Sequence, residues 1–176
     1  MNFNKFLIFK IFFILVISPL FLNVPKAYTA EEIKITYSIF SRTIKVNSLK
    51  TFAEEGKSTK QLKRILKATG SPDKEIRKVL NKDFEVPITI ASKLVYSEIG
   101  NIFLTRISSI IHPSRATDER TGMLALRASV IQGIKIGNGK INLINFFEGY
   151  PTKTVILDVS ALSKVCLLYT SPSTRD

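Results

Sequence analysis

The apolar run from residue 11 to residue 22 sets how much of this chain is left to fold. Lys5 and Lys10 precede it, Pro19 interrupts it, and Pro25, Ala27, Thr29 and Ala30 follow. That order of basic, apolar and small residues is the layout of a secretory signal. Its twelve residues fall short of the roughly 20 that a membrane-spanning helix needs, and a run widened to 6–24 takes in Lys10. Residues 1–30 are therefore expected to direct export and to be cleaved, rather than to stay as an anchor. Cleavage after Ala30 puts bulky Tyr28 at the third position upstream, whereas cleavage after Thr29 puts Ala27 there. Without a cysteine near the cut, lipoprotein processing is excluded.

Residues 31–165 remain, the length of one domain with one core. The last eleven residues, 166–176, resemble a translated sequencing adapter, which usually has Pro where this chain has Thr174, so the natural reading frame is expected to depart near Val165. Cys166, the single cysteine, falls in that tail. An exported domain without disulfides must be held by its core, and a thiolate metal site has no ligands to use.

The chain carries 26 Lys and Arg against 14 Asp and Glu, a net charge of +12. Much of the excess lies between Lys57 and Lys82, where the acids are Asp73 and Glu75 alone. Lys60, Lys63, Arg64, Lys67, Lys74, Arg77 and Lys78 all fall opposite apolar stripes and form a candidate anion-binding face. Anionic head groups, nucleic acid or an acidic partner would suit it. A solvated helical surface is the simpler account.

Alternation over residues 32–37 and 42–46 predicts two strands joined as a hairpin. Helical signals follow. Asn47 or Ser48 can cap a helix bearing Leu49, Phe52 and Ala53 that stops at Gly56. Ser58 with Gln61 has capping-box form ahead of Leu62, Ile65 and Leu66, and Ser71-Pro72 opens a helix with Ile76, Val79 and Leu80. From Pro87 a further helical stretch runs through Ile99, Ile102, Phe103, Ile107, Ile110 and Ile111 and ends at His112-Pro113. Met123, Leu126, Val130 and Ile134 mark another helix, closed near Gly137-Asn138-Gly139, and Asn142 caps a short one through Phe146 and Phe147 to Gly149. Residues 154–159 read as a strand returning to the hairpin. The expected class is α+β, helix-rich, with the C-terminal strand joining the hairpin's sheet.

Catalytic patterns are scarce. No Gly-x-Ser-x-Gly elbow or phosphate-binding glycine loop occurs in the sequence. Ser71-Pro72-Asp73-Lys74 fits Ser-x-x-Lys formally, but the proline makes it a helix start. His112 is the single histidine, so histidine metal clusters are excluded, and beside proline it is expected to be structural. Asp118-Glu119 is expected to begin a helix and Gly137-Asn138-Gly139-Lys140 to form a turn. Phe146, Phe147 and Tyr150 could stack bases but stand far along the chain from the basic segment. No catalytic residue, cofactor or metal ligand is assigned.

The order and spacing of several segments resemble a cyanobacterial domain family labelled alpha/beta hydrolase of unknown function. They are residues 32–37, then Val46-Asn47-Ser48-Leu49, Phe52-Ala53-Glu54 and Gly56, then Ile110-Ile111-His112-Pro113, Leu126-Arg127-Ala128 and Tyr150-Pro151. The similarity spans roughly 31–163. Ser38 departs from the glycine expected after the tyrosine. What the resemblance implies is a domain found alone behind a signal peptide or ahead of a true α/β-hydrolase domain, with no nucleophile of its own. The leading expectation is an exported, non-catalytic accessory or interaction domain. The alternatives are the N-terminal portion of a truncated secreted serine esterase or lipase-like α/β hydrolase and a peripheral binder of anionic surfaces through the basic helical face. Expected partners are a hydrolase domain, another exported protein or an anionic membrane, with nucleic acid disfavoured; expected locations are periplasm, thylakoid lumen or the extracellular space.

Overall fold

Strands β1 (Glu32–Tyr37) and β2 (Phe40–Lys45) form the expected antiparallel hairpin, with Tyr37 opposite Phe40. The two-residue turn puts Ser38 at φ 52°. That left-handed conformation at the first turn position is where glycine is preferred, so serine forms the turn at a local cost of about 1 kcal/mol. The Ser38 amide donates to Ser160 Oγ at 2.9 Å. In this computed structural model residues 29–68, 70–116 and 118–162 are described; the leader segment at 1–28 and the 166–176 tail with Cys166 lie outside them.

Strand β6 (Thr154–Asp158) returns as expected and lies parallel to β1, while β4 (Ile111–Pro113) pairs antiparallel with β6, giving the order β2-β1-β6-β4. Register lines up Ile44, Ile33, Val155 and Pro113 across the four strands. All four are buried, because directly opposed residues share one face of a sheet. Ile35, Leu157 and Ile111 form the next row and pack against the same core. The fold is thus α+β, a mixed sheet with helices supplied by the long connection between β2 and β6.

Those helices are α1 (Val46–Glu55), α2 (Lys60–Ala68), α3 (Asp73–Leu80), α4 (Ile88–Val95), α5 (Glu98–Ser108), α6 (Glu119–Ile136) and α7 (Leu143–Glu148). Several starts differ from expectation. Val46 begins α1 rather than ending β2, because its amide is held by the Glu31 carbonyl at 2.9 Å and Lys45 caps without a side-chain bond. Thr59, not Ser58, caps α2 through Oγ1 to Leu62 N at 3.2 Å, and Gln61 reaches instead to Thr43 O at 2.7 Å. Pro72 precedes α3 instead of occupying its first turn. Asp118 and Asn142 cap α6 and α7, accepting from Thr121 N and Asn145 N, and Gly56 at φ 75° closes α1.

The stretch expected to run from Pro87 to His112 is two helices and a strand. Ser97 breaks it, accepting from Gly100 N at 3.0 Å while donating to Leu94 O at 2.7 Å. A Cβ on Gly100 would lie 2.0 Å from Leu94 O, so glycine alone permits this sharp junction. Ile111 and His112 belong to β4, not to the helix. The α6 helix turns its expected stripe inward, with Leu126 and Ile134 buried and Met123 and Val130 packed against the core, and buries Gly122, Ala125, Ser129 and Gly133 beside it. Small residues there admit α7, whose terminal Gly149 has room for no Cβ against Gly133 N at 2.6 Å. A second sheet that the periodicity did not predict pairs β3 (Phe84–Glu85) with β5 (Lys140–Ile141).

Candidate functional site

The basic helices present their cations as expected, with one exception. Leu62 and Leu66 of α2 and Leu80 of α3 point into the core, leaving Lys60, Lys63, Arg64, Lys67, Lys74 and Lys78 exposed. Arg77 turns inward. Its Nε donates to Ala53 O at 3.1 Å and its Nη2 to Glu54 O at 2.9 Å, so the guanidinium closes the carbonyl end of α1. Lys74, Arg77 and Lys78 share a shallow depression with Glu75 and Asn81, which the α2 cations do not line.

The other candidates from the sequence are structural. His112 sits on β4 opposite Ile156, on the sheet face away from the buried row, with Nδ1 3.0 Å from Pro113 O. Three successive amides at Gly137, Asn138 and Gly139 bond to the carbonyls of Gly133, Lys135 and Ile134, which leaves no anion-binding nest. Phe146 meets Phe147 and Tyr150 edge to face at 5.3 and 6.2 Å, and Phe147 and Tyr150 are buried. They are core, not a stacking platform. Among the described residues no group of three His, Cys, Asp or Glu could hold a metal ion.

Two features escaped the sequence. Tyr150 is fully buried and its hydroxyl has no hydrogen-bond partner among the described residues; burial pushes its pKa well above the ordinary tyrosine value. A cleft of about 370 Å³ at the start of α1 is lined by Glu31, Glu32, Glu148, Lys45 and Lys153 among others. Its charges are largely paired, Lys50 with Glu148 at 2.8 Å and Lys153 with Glu31 at 3.4 Å. The bond to Glu148 raises the pKa of Lys50.

The more pronounced feature is the outward side of α4 and α5. Ile90 and Leu94 are one turn apart on α4, and Ile99, Ile102, Phe103 and Arg106 share a face of α5. Ile99 is 77% exposed, Phe103 61% and Leu94 60%. The core receives Ala91 and Val95 from α4 and Gly100, Leu104 and Ser108 from α5. Of the strongest apolar period in the chain, Ile110 is buried and Ile107 and Ile111 pack against the core, but Ile99, Ile102 and Phe103 face solvent, contrary to expectation, because small residues let the opposite side of α5 approach α6 closely. Ser108 faces Gly122, where a Cβ would come within 2.8 Å.

Arg127 of α6 fixes this pair of helices. Its Nε donates to Val95 O at 3.0 Å, its Nη2 donates to Asn101 Oδ1, and its guanidinium stacks 4.3 Å from the Tyr96 ring centre. One planar cation thus holds the last turn of α4, the junction and the first turns of α5. Its position within Leu126-Arg127-Ala128 is the only trace of this role in the sequence.

A family model described as "Alpha/beta hydrolase of unknown function" (DUF1400) matches residues 29–158. The chain belongs to that family. Neither the curated proteins nor the solved structures contain a match to it.

Proposed function

We propose that this chain is an exported, non-catalytic interaction domain. The observation that carries the reading is the apolar outer side of α4 and α5, held in place by Arg127 rather than left to move. Apolar residues scattered singly on a surface need no explanation, but Ile90, Leu94, Tyr96, Ile99, Ile102 and Phe103 fall within one pair of helices. Such clusters mark interaction sites. The absence of a serine elbow from the sequence supports the non-catalytic part.

Export is supported by the leader pattern, and the buried N-terminal residue bears on the cut. Ala30 is 5% exposed and belongs to the core cluster, while Glu31 N and Glu32 N both donate to Lys153 O. Cleavage between Thr29 and Ala30 keeps the buried methyl, whereas cleavage one residue later removes it. Expressed in a Gram-negative host, the chain should yield a mature product beginning at Ala30 by mass spectrometry. A product beginning at Glu31 defeats this cut, and an unprocessed one defeats export.

To test the interaction reading, a photo-reactive residue at Ile102 of the full chain should cross-link in native envelopes while one at Lys57 does not. Equal labelling at both positions, or hydrolysis of short acyl esters that His112→Ala abolishes, overturns it. The family's hydrolase label favours a second reading, in which this domain precedes a hydrolase domain encoded further on. Several hundred additional codons with a serine elbow beyond Val165 in the genomic locus would establish that reading; a nearby stop codon would refute it.

A further inference from the structure

We propose that the outer side of α4 and α5 docks on an anionic lipid bilayer, with Ile90, Leu94, Ile99, Ile102 and Phe103 entering the interfacial layer. This rests on the interaction reading and names its partner. The residue types suit an interface: branched aliphatic side chains for the acyl boundary, and Tyr96 as an amphipathic ring for the head-group level.

Charge selects the bilayer over another apolar partner. Lys93 lies beside Leu94 on α4, and Arg106 lies one turn beyond Ile102 and Phe103 on α5, against the single acid Glu98. The Tyr96 ring is already backed by the Arg127 guanidinium. A second copy of the chain would bring two such sets of cations together, and each molecule stays basic after the three lysines of the leader are removed. That repulsion opposes self-association, whereas anionic head groups attract the same cations. The exposed cations of α2 and α3 add long-range attraction without supplying apolar anchors. Each reading of residues 11–22, as a signal or as an anchor, also brings the chain to a membrane.

The rigidity of the pair matters to this use. An amphipathic helix that must fold on the membrane offsets part of its binding by ordering itself. Here α4 and α5 are ordered beforehand by Ser97, Gly100 and Arg127, and the apolar side chains are already displayed.

The test uses the full chain with Cys166→Ser and a polarity-sensitive thiol dye at Ile102→Cys or, as control, at Lys57→Cys. The probes are phosphatidylcholine vesicles with and without about one third phosphatidylglycerol. With the anionic vesicles, emission from position 102 should shift to the blue and be quenched by brominated acyl chains, while position 57 is unchanged. Neutral vesicles, or Lys93→Gln with Arg106→Gln, should lose the shift. A dye at 102 that stays water-exposed on anionic vesicles overturns the proposal, as does an equal shift on neutral ones. A blue shift without vesicles that grows with protein concentration overturns it in favour of a second copy. Cross-links from 102 to protein alone would likewise refute the lipid partner and leave the interaction reading intact.

Discussion

Two helix pairs in this domain are built on one plan and finished in opposite ways. In α2 and α3 the sides facing away from Leu62, Leu66 and Leu80 carry lysine and arginine. In α4 and α5 the sides facing away from Val95 and Leu104 carry isoleucine, leucine and phenylalanine. All five inward residues belong to one core cluster. The difference teaches that apolar period identifies which residues share a side, and that the size of the residues opposite decides which side goes in. Gly100 and Ser108 let α5 sit close to its neighbours, so its bulky side is the one left out.

The sharpest way to break this comparison uses adjacent residues. Leu104→Ala should destabilise the fold by about 3 kcal/mol through the cavity it leaves. Phe103→Ala, one position earlier, should change stability by no more than about 0.5 kcal/mol, as expected of an exposed site. Urea unfolding of both variants checks it, and a large loss for Phe103→Ala would mean that this side is packed.

The two inward arginines provide the next test. Arg127→Ala removes two charge-assisted bonds and a stacked ring and should cost about 2 kcal/mol. Arg127→Lys should not restore it, since an ammonium cannot hold the same fork. Arg77→Ala should cost about 1 kcal/mol, because the end of α1 that it closes is nearer water. Equal losses by chemical denaturation would dissolve the distinction between the pairs.

Both pairs meet the cluster that holds Tyr150. Replacing its unpartnered hydroxyl, Tyr150→Phe, should leave stability unchanged or raise it by about 1 kcal/mol. Because burial raises this tyrosine in the folded state above 10.0, folded and unfolded chains are both protonated below that pH and stability is undiminished there. As pH rises through 10, the unfolded chain ionises first and stability falls. Thermal melts should show this decline in the wild type and a smaller one in Tyr150→Phe; identical pH profiles would mean that Tyr150 is not desolvated.

The smallest effect belongs to the basic pair. Exchanging Lys60, Lys63, Arg64 and Lys67 for Gln should move the melting temperature little, because exposed charges contribute little to stability. A marked drop would reveal contacts that the exposure of these residues does not suggest.

Local chemistry explains what the sequence disclosed. Alternation predicts β1 and β2 because their side chains divide between two faces, and Asp118, Asn142 and Gly56 act at helix ends through bonds made within a few residues. The return of residues 154–158 to the hairpin was legible from their branched apolar composition. Contacts between distant segments were not. Nothing near Arg77 reveals that Ala53 and Glu54 will accept its bonds, and nothing near Ile99 shows that Gly100 faces the core. The inward turn of Arg127, the three-residue β4 and the two-residue β3 and β5 depend in the same way on partners far along the chain. The basic face could be read because charge is indifferent to such partners; the apolar face could not.

The parallel pairing of β1 with β6 imposes an order on assembly. Ile33 waits for Val155, 122 positions later, before its second edge is covered. The hairpin can close as soon as it emerges, but the sheet matures only when the last described strand arrives, and a pairing across so long a stretch of chain forms slowly. Throughout synthesis or translocation the nascent chain displays an open β edge able to pair with other chains. A chain halted before residue 154 would keep that edge permanently, so premature termination should produce aggregates rather than a smaller working domain.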